Sequence, residues 1–103
     1  MKRVFMMNAK DNVATALENL ETGDLTCVTL PSQEVYKEVR VKQTLPMGHK
    51  IALEDIRKGE KIVKYGVPIG TASRGIGLGE YVHIHNVRSD RMQMPEVWYR
   101  EGR

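Results

Sequence analysis

Apolar residues in this chain recur mostly at the two-residue period of strands, and one stretch departs from it. Over Asp11-Asn12-Val13-Ala14-Thr15-Ala16-Leu17-Glu18-Asn19-Leu20, the residues Val13, Ala16, Leu17 and Leu20 share one helical face. Asp11 stands where it can cap the first free amides, and Gly23 stands where such a helix would stop. One short N-terminal helix is therefore expected, with strands elsewhere. Val4-Phe5-Met6-Met7 follows a basic pair and reads as a first strand, too short for a signal-peptide core. Leu25 to Leu30 is a second β-rich run. Val35 to Thr44 is a third, alternating strictly at Val39-Arg40-Val41-Lys42. Beyond the turn Leu45-Pro46-Met47-Gly48 come short segments broken by Gly59, Gly66, Gly70, Gly75, Gly77 and Gly79. Frequent glycine turns between short strands predict a mainly β fold with tight corners.

Two of these segments echo each other. Ile56-Arg57-Lys58-Gly59-Glu60-Lys61-Ile62 and Ile76-Gly77-Leu78-Gly79-Glu80-Tyr81-Val82 share the order Ile-x-x-Gly-Glu-x-aliphatic. Each reads as a turn whose glycine takes a positive φ, followed by a strand. The pair predicts two pseudo-symmetric β-loops. Gly75, Gly77 and Gly79 alternate, so the GxGxxG dinucleotide fingerprint is absent, and no amphipathic helix follows them.

Candidate chemistry gathers in Gly79-Glu80-Tyr81-Val82-His83-Ile84-His85-Asn86-Val87, which holds two of the three histidines. In a strand His83 and His85 would face one side, roughly 7 Å apart at Cα, with Val82 and Ile84 turned to the core. Two imidazoles can share a metal or bracket a substrate, but a stable metal site needs three or four ligands. Plain surface histidines remain the alternative. His49-Lys50 and Lys64-Tyr65 lie beside turns, where titratable groups can serve as acid, base or anion contacts. A solvated lysine and a packed tyrosine ring are the corresponding bland readings.

Composition narrows the classes. The 103 residues make one domain, and 41% hydrophobic with 28% charged residues describes a soluble globular chain. No apolar run is long enough for a transmembrane helix. A net charge of +3, spread among acids and without aromatic interleaving, speaks against nucleic acid and suits a small anion. The lone Cys27 leaves no internal disulfide, fits the cytoplasm, and reads as a buried strand residue. The stretch 89–103 carries Met92, Met94, Pro95, Val97, Trp98 and Tyr99 among charges, and is either a docking arm or packed on its own domain.

Three separated motifs, GHK-x-A-L from Gly48, KYG-x-x-IG from Lys64 and GE-x-VH-x-HN from Gly79, occur in order with "DNVATAL" before them. In this the chain resembles the SAF-type β-clip domain of altronate and galactarate dehydratases, over Asp11 to Val87. The resemblance implies a β-clip domain over 1–88, a bent ribbon folded on itself in pseudo-symmetric halves. It also implies a part in sugar-acid dehydration with a divalent metal, commonly iron(II). A related sulfolactate sulfo-lyase expels sulfite instead. Dehydratases of this kind continue into a much larger domain, in some members a separate subunit, so the chain resembles a small subunit whose large partner completes the site. On that resemblance His83 and His85 would contact metal or substrate, His49 and Lys50 would lie near them as substrate-binding residues, Lys50 or Lys64 would pair with the substrate carboxylate, and Tyr65 and Asn86 would hydrogen-bond its hydroxyls. A non-catalytic module binding a carboxylated sugar or metal, and a homo-oligomerisation domain, are the other readings open at this stage.

Overall fold

The computed structural model of the chain describes residues 1–89. The docking arm expected at 89–103 thus falls, from residue 90 onward, outside the described residues. Nine strands are described: β1 (Lys2–Phe5), β2 (Val13–Ala16), β3 (Leu25–Thr29), β4 (Val35–Arg40), β5 (Lys50–Ala52), β6 (Lys61–Lys64), β7 (Val67–Ala72), β8 (Tyr81–Val82) and β9 (Val87–Ser89). The fold is mainly β, and there is no helix among the described residues.

The expected N-terminal helix is therefore corrected: its centre is β2. Val13, Ala14 and Ala16 are all buried, while Leu17, which a helix would have buried, is exposed. β2 lies between β1 and β5 in a six-stranded sheet of order β4-β3-β1-β2-β5-β8. A strand buried on both faces loses polar alternation, and its run of apolar residues then mimics a helical face. Asp11 does not cap a helix. Its carboxylate accepts from the amides of Met7 (3.2 Å), Asn8 (3.1 Å) and Gly66 (2.8 Å), tying the β1–β2 loop to the β6–β7 hairpin. Asn12 grips β6 in the manner of a neighbouring strand: its Oδ1 accepts from Val63 N (2.8 Å) and its Nδ2 donates to Lys61 O (2.9 Å). Short polar side chains that cap helices serve loops equally well.

The sequence echo extends from two units to four. Each unit runs from a small buried residue through a buried Leu or Ile to a glycine turn: Ala16–Asp24, Val41–His49, Ala52–Glu60 and Ala72–Glu80. Within the first two units Leu20 and Leu45 form a mutual antiparallel bridge, and Ile56 and Ile76 do so in the last two. Gly23, Gly48, Gly59 and Gly79 all have φ between 86° and 95°. The turn turns the glycine amide toward the partner unit. Gly23 N donates to Val41 O, Gly48 N to Ala16 O, Gly59 N to Ala72 O and Gly79 N to Ala52 O, at 2.8–2.9 Å. The partner returns each bond: Val41 N to Asp24 O, Ala16 N to His49 O, Ala72 N to Glu60 O and Ala52 N to Glu80 O.

Each pair of units centres its own core. Ala16, Leu20, Val41 and Leu45 pack with Val4, Met6 and Ile51 among others. Ala52, Ile56, Ala72 and Ile76 pack with Val13, Ile62 and Val82. β2 and β5 form the wall between them, sending Ala14 and Ile51 to the first core and Val13 and Ala52 to the second. The three-stranded sheet β6-β7-β9 closes the second core.

Cys27 lies in β3 as expected, but on its half-exposed face, with Thr26 and Val28 turned inward. At Gly59 an added Cβ would meet open space, whereas at Gly79 it would collide with the carbonyl oxygen of Arg40. Gly59→Ala should therefore cost about 1–2 kcal/mol, the left-handed backbone penalty alone. Gly79→Ala should cost at least about 2 kcal/mol more, as overpacking against a backbone that cannot yield. Equal losses in urea unfolding would contradict this reading of the turns.

Candidate functional site

The second and fourth turns deliver their last residues to neighbouring strands. The second ends at His49 and runs into β5, and the fourth ends at Glu80 and runs into β8. β5 and β8 pair antiparallel with Lys50 opposite Val82 and Ile51 opposite Tyr81, so one step outward His49 lies across from His83. Their ring centroids are 5.1 Å apart.

Tyr81 is the hub of the cluster. Its ring stacks on His83 at 5.4 Å and meets His49 edge-on at 5.5 Å and His85 edge-on at 5.6 Å. Its hydroxyl lies 2.6 Å from His49 Nδ1. The motif reading of the sequence passed over Tyr81. Period two would have found it, because Tyr81 stands two residues before His83.

His83 and His85 do not share a strand face. β8 ends at Val82, and His83-Ile84-His85-Asn86 is a turn closed by Asn86 N donating to His83 O at 3.0 Å. Ile84, expected in the core, is 83% exposed. Asn86 is 3% exposed, and its side chain holds the turn: Nδ2 donates to Tyr81 O (2.7 Å) and Oδ1 accepts from His83 N (2.9 Å). The turn thus swings both imidazoles around Tyr81.

The lysines sit beside the cluster. Burial lowers the pKa of Lys50, and the charge of Lys64 lowers it further. Among the described residues no carboxylate pairs with either. Lys50 and His83 border a cavity of about 360 Å³ walled by Ile62, Ile69, Val82 and Val87. Lys64 also lies over the ring of Tyr65, 5.0 Å from its centre. Tyr65 is at the tip of the β6–β7 hairpin, 58% exposed, where Tyr65 and Gly66 both take positive φ. It is not among the rings that meet around Tyr81.

The pKa of His83 is lowered, first by burial and then by the charges of His49, Lys50 and His85. His83 therefore favours the neutral form, the form able to accept a hydrogen bond or bind a metal. Among the described residues no group of three or more His, Cys, Asp or Glu is placed to hold a metal ion. No helix of the described residues is long and apolar enough to cross a membrane.

The family model of the altronate/galactarate dehydratase SAF domain matches residues 2–90. The altronate dehydratase of Bacillus subtilis (strain 168) is 39% identical over 90 residues, covering 87% of this chain and 17% of that enzyme. That of Escherichia coli (strain K12) is 41% identical over 93 residues, covering 90% and 18%. The (2R)-sulfolactate sulfo-lyase subunit alpha of Chromohalobacter salexigens is 35% identical over 85 residues, covering 82% of this chain and 90% of that subunit. The chain thus spans less than a fifth of the two altronate dehydratases and nine-tenths of the sulfo-lyase subunit.

Lys50 carries a sign that can be measured. With its folded pKa below the unfolded one, the unfolded chain binds more protons between the two values, so stability rises with pH through that window. On the acid side of that window the charged ammonium weighs against folding. Lys50→Met should therefore be more stable than the parent at pH 7, with the difference shrinking as pH climbs toward 10.5, the ordinary lysine value. Urea unfolding at several pH values checks this, and a Lys50→Met protein less stable at pH 7 would refute it.

Proposed function

We propose that this chain, which belongs to the altronate/galactarate dehydratase SAF-domain family, is the small subunit of a lyase that eliminates water or sulfite from a hydroxy acid. Its fold is then the β-clip, a reading supported by the two reciprocal pairs of turn units. The single observation that carries the functional reading is the cluster of His49, Tyr81, His83 and His85 beside the unpaired Lys50. Three imidazoles, a phenol and a half-buried cation gather where two turns of a small domain meet.

The residues divide the work by chemistry. Elimination begins with loss of the proton α to the carboxylate, and negative charge then grows on the carboxylate oxygens. Lys50, with Lys64 behind it, supplies the positive charge that meets them; cations aimed at developing charge are worth most where water is excluded. Burial of Lys50 without a carboxylate leaves it disposed toward an incoming anion. His49 lies beside the same site, and the exposed Tyr65 would reach a substrate hydroxyl only from the hairpin tip. Asn86 positions the histidine turn and is a hydroxyl contact only at second hand.

A divalent metal such as iron(II) fits this chain only as a shared group, with His83 and His85 as two of its donors and the remainder from a large partner subunit. Bound there, it would supply Lewis-acid polarisation of a substrate oxygen. The α-proton base is assigned to the partner as well, because the ring contacts and the hydrogen bond that hold the cluster together involve only histidine and tyrosine. Altronate and galactarate are the leading substrates of this reading and (2R)-sulfolactate the alternative; the setting is the cytoplasm.

Substituting His83→Ala or His85→Ala should lower turnover of the reconstituted two-subunit complex by about 10²-fold or more, with the fold of the small chain unchanged by circular dichroism. Full turnover in His83→Ala would remove the cluster from the reaction.

A further inference from the structure

The four turns differ at one place, and the difference falls on His49. In three of them the last residue is a carboxylate whose oxygen returns to the first amide of the turn. Asp24 accepts from Glu21 N (2.9 Å), Glu60 from Arg57 N (2.6 Å) and Glu80 from Gly77 N (2.8 Å). In the remaining turn, Pro46-Met47-Gly48-His49, the first residue has no N–H to give. A carboxylate there would have no partner. The position carries an imidazole instead, and its Nδ1 turns away from the turn to the hydroxyl of Tyr81 at 2.6 Å.

We infer that Tyr81 is a positioning residue that holds His49 in the tautomer with Nδ1 bare and Nε2 protonated, so that His49 enters the site as a hydrogen-bond donor and not as a metal ligand. A separation of 2.6 Å suits an O–H donor; N–H donors to oxygen cluster nearer 2.9 Å. A phenol is also the stronger donor of the two groups and an imidazole nitrogen the stronger acceptor. In the neutral ring one nitrogen accepts and the other donates, so occupation of Nδ1 by the phenolic proton assigns the remaining proton to Nε2. The hydroxyl of Tyr81 makes no other hydrogen bond among the described residues, so its proton is not claimed elsewhere.

This separates the three histidines by role. His49 is spent as a fixed donor, which leaves His83 and His85 as the two imidazoles with free lone pairs, and three histidines within one cluster do not become a three-histidine metal site. A neutral imidazole N–H aimed at a carboxylate oxygen stabilises the charge that grows there without transferring a proton. That role rests on the lyase reading; the tautomer does not.

The test is long-range proton–nitrogen correlation NMR of the full chain, labelled with nitrogen-15 at histidine, at a pH where the rings are neutral. His49 is expected to show an unprotonated Nδ1, shifted by its hydrogen bond, and a single protonated Nε2. In Tyr81→Phe both ring resonances of His49 should move, while amide signals remote from β8 stay in place. A protonated Nδ1 in the parent protein, or His49 ring resonances unmoved in Tyr81→Phe, would overturn the inference. Should Tyr81→Phe fail to fold, the parent spectrum alone decides. A complex without lyase turnover would sink the functional reading and leave this result intact.

Discussion

Reciprocal hydrogen bonding between paired glycine turns is the constraint on which the rest of the molecule depends. In each of four units a left-handed glycine turns its amide toward the first carbonyl of a partner unit, and the partner returns the bond one residue later. Two short turns thereby satisfy each other's backbone groups, and the buried Leu or Ile inside each unit meets its counterpart at a bridge. A chain of 103 residues cannot bury much, so backbone groups left unpaired would be costly. The reciprocal pairs remove that cost at four corners and seed two cores, which β2 and β5 join by facing both.

The candidate site is a by-product of the same device. Every turn ends by feeding a strand, and the second and fourth feed β5 and β8, which pair. Whatever residues follow those two turns must meet. Here they are His49, Lys50, Tyr81 and His83. The turns that end in Asp24 and Glu60 spend their last side chain on their own first amide, and so does the one that ends in Glu80. Proline at position 46 frees the second turn, the one that ends in His49, to do something else. Structural repetition and its single exception thus account for the position of the imidazole.

How much of this could be read from residues alone varies with the element. The Gly-Glu echo was plain because turn geometry restricts residue type; the units ending in Asp24 and His49 were missed because Asp and His broke the pattern while the geometry persisted. β3 follows its alternation, whereas β4 is largely exposed up to Val39 and ends at Arg40, short of the run to Thr44. The stretch after Asp11 does not alternate, because burial on both faces erases the period on which a strand is recognised. His83 and His85 do gather around Tyr81, but a turn held by Asn86 brings them there in place of a shared strand face, and nothing local announces that turn. Tyr81 escaped because a tyrosine beside a buried valine reads as packing until a distance of 2.6 Å assigns it a partner.

Family membership gives the cluster its chemical setting, and the proposed lyase role would give the cluster a mechanism: cations and imidazoles offered to a partner subunit that would supply the rest. The most direct measurement is purification of the tagged full chain from its native cells, followed by metal analysis and assays for altronate, galactarate and sulfolactate turnover. Recovery of a large partner, a bound divalent metal and turnover of one of these acids is the predicted result. A chain recovered alone, without metal and without turnover of any of the three, would contradict the account.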